Sequence, residues 1–171
     1  LYRADEEGNF RQEDAWLAAE WTSGEDGEPH TLRRLPEGMY YLAELETPDY
    51  YTTFEPVPIV YQGQDRISFV RVSDRPARGR LEIRKTDAGQ ELLTGAVFQV
   101  SAWRKEDRTC PVYSRIVSDH GGIVRLEDLP VGEADQAGVI TPYIYTVEEL
   151  VPPDGYAVSQ TSWEFSFQPD R

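Results

Sequence analysis

Leu35-Pro36-Glu37-Gly38, leading to Tyr40, Leu42, Glu44 and Pro48-Asp49-Tyr50, returns as Leu129-Pro130-Val131-Gly132, leading to Tyr143, Tyr145, Glu149 and Pro153-Asp154-Gly155-Tyr156. A phrase used twice implies one structural unit copied along the chain. In each copy the glutamate, Glu44 or Glu149, stands four residues before a proline. The offset is 94 residues at the Leu-Pro step and 105 at the glutamate, so the second copy carries an insertion, Glu133 to Pro142, before its tyrosine strand.

A repeat of roughly 100 residues in a chain of 171 favours two domains, each large enough for its own core. Ten Tyr and four Trp supply the apolar area to fill both. Gly and Pro recur between short alternating runs, which reads as all-β with turns. Only Gln12 to Trp21 has a pattern compatible with a short helix, and a strand or loop suits it equally.

The net charge is −14, with acidic groups spread along the whole chain. Residues 1–77 hold 16 acidic and 7 basic side chains, and the remainder 15 and 10. Nucleic acid and anionic membrane surfaces are therefore not expected partners. No apolar run approaches the roughly 18 residues of a spanning helix. Cys110 is alone, so an intrachain disulfide and a Cys-based metal cluster are excluded. His30 and His120 both sit beside Gly-rich turns, a structural position. Neither a Ser-His-Asp order, a phosphate-cradling Gly loop nor a zinc spacing is present, so no cofactor or metal is expected.

In a strand every second side chain faces the same way. Leu81, Ile83 and Lys85 share a face, as do Tyr143, Tyr145, Val147 and Glu149. Tyr40, Leu42 and Glu44 share another, and Val70, Val72 and Asp74 a fourth. Each apolar face thus ends in a charged group. One such group is explained by fraying into water. Four in the same phase, two at equivalent repeat positions, point to a buried constellation of Lys, Glu and Asp. A desolvated lysine loses its proton more easily and becomes a nucleophile, while a desolvated carboxyl keeps its proton and can relay it. The reaction suited to that set is an amide cross-link between strands, formed once, with proximity in place of a cofactor.

The residues that carry this chemistry resemble a known family. Arg80-Leu81-Glu82-Ile83-Arg84-Lys85-Thr86-Asp87, Leu93-Thr94-Gly95-Ala96-Val97-Phe98-Gln99-Val100, the Leu-Pro-x-Gly turn, Tyr145-Thr146-Val147-Glu148-Glu149 and Pro153-Asp154-Gly155-Tyr156 are similar to a collagen-adhesin B-type (Cna B-type, SpaA-like) domain. The resemblance is specific over residues 78–168, and over 1–77 only the later half carries it. It implies a transthyretin-like, reverse-immunoglobulin β-sandwich of the kind that builds stalks of Gram-positive pilins and surface adhesins. It further implies that Lys85 is the cross-linking lysine, Glu149 and Glu44 the cross-link-promoting glutamates, and Asp74 the acceptor of the first module.

The chain also departs from that pattern. Its only lysines are Lys85 and Lys105, so the first module has none. Leu1-Tyr2-Arg3 aligns with the strand around Val100, which leaves module one without the family's first, lysine-bearing strand. Asp74 lies 26 residues after Pro48, and the same step from Pro153 runs past Arg171. Asn9 is distant and Asp170 falls about nine residues early, so module two is expected to lack its acceptor.

The expectation is therefore two tandem all-β sandwich modules, 1–77 and 78–171, each truncated at one end. They would serve as stalk or spacer of an extracellular, cell-wall-attached bacterial protein whose partners are neighbouring modules. Any catalysis would be a single autocatalytic turnover. The competing expectation is an adhesin module for a host protein or glycan, with the Glu133 to Pro142 insertion, Trp16 to Trp21 and Trp103 as contact surfaces. A glycosidase with paired carboxylates fits least, because these acids face module cores.

Overall fold

The structure is a computed structural model that describes residues 1–24, 28–63, 67, 69–158 and 162–169. Apart from one 3₁₀ turn, Asp14–Trp16, its regular elements are all strands. The expected choice over Gln12 to Trp21 resolves as that single turn. The chain divides into two compact units, Leu1–Arg75 and Pro76–Arg171.

In unit 2, β6 (Arg78–Arg84) pairs antiparallel with β9 (Ile123–Pro130). Facing them is a four-stranded antiparallel sheet of order β13, β12, β7, β8, from Trp163–Phe165, Ile144–Val151, Val97–Trp103 and Tyr113–Ser118. Phe98, Val100 and Ala102 alternate inward from β7, as do Tyr145 and Val147 from β12, and they meet Val124, Leu126 and Leu129 of β9. Leu81 and Ile83 close the core from β6. The arrangement is a β-sandwich, with alternating side chains of both sheets interdigitating between them. Gly79 interrupts the β6 register at a bulge, and a Cβ there would collide with the Phe167 ring. That ring meets Tyr145 edge-on at 5.2 Å.

The insertion folds as its own hairpin, β10 (Gly132–Ala134) with β11 (Ile140–Pro142). The Asp135 carboxylate caps its turn by accepting from the N–H groups of Ala137 and Val139, both at 2.9 Å. Gly132 is required because a Cβ would strike the Thr141 carbonyl of the opposing strand. His120 heads a tight turn through Gly121 and Gly122, whose φ angles of 63° and 82° suit glycine.

In unit 1, β2 (Gly38–Leu42) lies between β1 (Tyr2–Arg3) and β4 (Val57–Tyr61). Short β3 (Tyr51–Thr52) pairs with β5 (Arg75–Pro76). Tyr40 is 1% exposed, and its hydroxyl donates to the Pro36 carbonyl at 2.7 Å. Tyr145 is 0% exposed and donates to the Pro130 carbonyl, also at 2.7 Å. Both copies of the repeated phrase therefore close on the same bond. It spans four residues in one and fifteen in the other, and the β10–β11 hairpin takes up the difference. Val70 and Val72 depart from expectation, being 41% and 37% exposed and outside any strand. Their alternation has no ladder partner among the described residues, so the pattern has no opposing layer to bury it.

Candidate functional site

Lys85 directly follows β6, and the backbone holds it from both sides. Its N–H donates to the Gly122 carbonyl and its carbonyl accepts from the Leu93 N–H, each at 2.9 Å. Glu149 lies on β12 opposite Phe98, just before a bulge. Being in phase with Tyr145 and Val147, it points the same way, into the sandwich. The Lys85 ammonium meets Glu149 Oε1 at 2.8 Å, with side-chain exposures of 19% and 0%. The two residues form an ion pair with a buried carboxylate and a half-buried lysine. Desolvation makes each ion depend on the other, because a lone charge there would be uncompensated. Proton exchange within such a pair converts the ammonium to a nucleophilic amine beside a neutral carboxyl.

Glu44 follows β2 and Asp74 precedes β5. Burial, reinforced by the charge of Asp74 and a hydrogen bond between the two side chains, pushes the Glu44 carboxyl above its ordinary value. A hydrogen bond from the Phe54 N–H opposes the shift. Two carboxyl groups share a hydrogen bond only if one of them keeps its proton. Glu44 Oε2 is buried and has no hydrogen-bond partner among the described residues.

The four residues singled out by alternation therefore form two separate pairs, Lys85 with Glu149 and Glu44 with Asp74. Asp170 lies outside the described residues. Sequence reasoning missed the backbone clamp on Lys85, which no side-chain pattern reports, although the Gly121-Gly122 turn marks one half of it. It also missed the ties around the other candidate surfaces. The Trp103 indole N–H donates to Thr146 Oγ1 at 3.0 Å, and Glu133 at the base of the hairpin is bound to Arg104 at 2.7 Å.

The model of the family described as "SpaA: Prealbumin-like fold domain" matches residues 79–171, more than half of the chain. The chain is also similar to the solved structure of the Bacillus anthracis TIE protein, with a TM-score of 0.51 and 22% sequence identity. The match covers 80% of this chain and 23% of that one. At that identity the likeness is one of fold alone, and the chain spans less than a quarter of that protein's length. No curated protein matches the chain.

Proposed function

The chain belongs to the SpaA family of prealbumin-like fold domains, and from that premise we propose that it is a load-bearing stretch of a bacterial surface protein. Two sandwich modules in tandem act as a stalk or spacer outside the cell, with neighbouring modules as partners and no substrate turnover. The observation that carries this reading is the Lys85–Glu149 pair, whose carboxylate is 0% exposed and whose lysine is 19% exposed. An acid sealed against its own lysine serves the fold, whereas a hydrolase needs its acid open to substrate. The recurrence of the tyrosine-to-turn bond in unit 1 supports a second module of the same plan.

In this reading Lys85 is the amine and Glu149 the proton relay of one cross-linking centre, and Glu44 is the relay and Asp74 the acceptor of a separate one in unit 1. Unit 1 contains no lysine, and the Lys85 ammonium is engaged by Glu149. Intact mass with peptide mapping tests it on this chain and on the parent protein. The chain should carry its full sequence mass, and the parent should be lighter by one water, or one ammonia where the acceptor is asparagine, for each completed module. A deficit of one water in this chain, mapped to Lys85 joined to an aspartate, would overturn the assignment of parties.

The adhesin reading has one observation in its favour. Among the described residues the insertion hairpin presents no exposed aromatic side chain. Trp16, by contrast, lines a cavity.

A further inference from the structure

That cavity, about 450 Å³ in volume, lies wholly within unit 1. Among the described residues its walls include Arg3, Arg33 and Arg34, with Trp16, Leu32 and Tyr40 as apolar surface, and no carboxylate. Unit 1 is strongly acidic, so a concave surface carrying three guanidinium groups runs against its composition. Among the described residues Arg11, Arg84, Arg104, Arg108 and Arg125 each meet a carboxylate at 2.5 to 3.0 Å, while Arg71, Arg75, Arg78, Arg80 and Arg115 stand singly without an ion pair. Among the described residues Arg3, Arg33 and Arg34 make no ion pair. Guanidinium groups left unpaired in a chain with 31 acidic residues are available to an external anion, which they can grip bidentately.

The backbone is arranged to gather them. Neighbouring residues of an extended segment point to opposite sides, but Arg34 has φ of 61°, a left-handed conformation uncommon for a side chain of this size. That turn lets Arg33 and Arg34 both line the cavity together with Arg3 of β1. The opposite wall is also held in place. Leu17 bridges to Tyr2, and the N–H groups of Ala18 and Ala19 donate to the Leu1 carbonyl at 2.9 and 3.2 Å.

We propose that this cavity binds a carboxylate-bearing sugar. The volume lies within the range of small-ligand sites and suits one or two sugar rings. Trp16 and Leu32 offer the apolar surface that the C–H faces of a ring require, while the arginines take the carboxylate. A polyanion would have to approach against the acidic field of the unit, whereas a single carboxylate feels mainly the charges within a Debye length of about 8 Å. An acidic peptide would seek an unpaired strand edge, and the Ala18 and Ala19 amides that could offer one are already bonded to Leu1. The inference is independent of the stalk reading: a spacer module can carry it, and its failure would leave the cross-linking centres untouched.

Calorimetric titration of the whole chain with a glucuronate-containing disaccharide tests it, alongside the same disaccharide with its carboxyl reduced to an alcohol. The expected result is saturable binding of the acid form and none of the reduced form. Arg33→Gln and Arg34→Gly, the second chosen because glycine suits the left-handed backbone, should each weaken binding about tenfold or more. Arg104→Ala, a paired arginine far along the sequence, should leave it unchanged. Equal binding of acid and reduced sugars, insensitivity to both arginine changes, or binding of a hexa-aspartate peptide in place of the sugar would each overturn the proposal.

Discussion

Glu149 and Glu44 hold the same place in two copies of one phrase, each four residues before a proline and beyond a buried tyrosine that bonds back to a Leu-Pro turn. Their company differs. Glu149 meets a lysine delivered by β6 and clamped through its backbone, whereas Glu44 meets a second carboxyl, Asp74. A buried carboxylate needs its charge compensated or removed. Unit 2 supplies a cation, whereas in unit 1 burial and the neighbouring Asp74 raise the Glu44 carboxyl above its ordinary value. The same local sequence thus yields different electrostatics, decided by the side chain that each glutamate meets.

The largest expected effect lies in unit 2. Lys85→Met leaves the Glu149 carboxylate buried without its cation and should destabilise the unit by about 3–5 kcal/mol. The double change Lys85→Met with Glu149→Leu removes both charges and should recover most of that loss. Denaturant melts of the single and double variants measure it, and a double variant as unstable as the single one would show that packing, not charge, is at stake. Next in size is Gly79→Ala, which forces a methyl group into the Phe167 ring and should cost about 1–3 kcal/mol through overpacking. Its effect should be confined to the unit 2 transition.

Tyr40→Phe and Tyr145→Phe then ask whether the two copies are energetically alike. Each removes one hydroxyl bond to a turn carbonyl and should cost about 0.5–1.5 kcal/mol in its own unit. A loss in one unit and none in the other would break the equivalence of the copies.

What was legible beforehand follows from what strands write into sequence. Alternation on β12 placed Tyr145, Val147 and Glu149 on one buried face, and on β6 placed Leu81, Ile83 and Lys85 opposite them. The same rule failed at Val70 and Val72, because alternation records a face and not whether a second layer exists to cover it. Glu44 and Asp74 were both assigned to the first module's constellation, but their shared hydrogen bond was not legible, since two acids 30 positions apart give no sign of sharing a proton. The arginine-lined cavity was hidden for a related reason. It assembles residues 3, 33 and 34 through a left-handed turn at an arginine, which propensity argues against. The insertion was visible as a length difference, but its hairpin depends on the Asp135 cap and on the close approach at Gly132.

The smallest effect expected in stability concerns pH. Glu44 titrates above its ordinary value of 4.5 in the folded unit, so the folded state keeps a proton that the unfolded chain has already released. The associated stabilisation is full below pH 4.5 and is lost as the pH rises through the raised folded value. Glu44→Gln, which holds an N–H donor toward Asp74 at every pH, should flatten that dependence in unit 1.

The most direct test of the contrast is a site-resolved NMR titration of the Glu44 side-chain carboxyl carbon, in the chain as it stands and with Asp74→Asn. A midpoint above 4.5 that moves down when the neighbouring charge is removed is the expected result. A midpoint at or below 4.5, unmoved by Asp74→Asn, would contradict the account, because Glu44 would then be an ordinary ionised carboxylate and no proton would stand where unit 2 has its lysine.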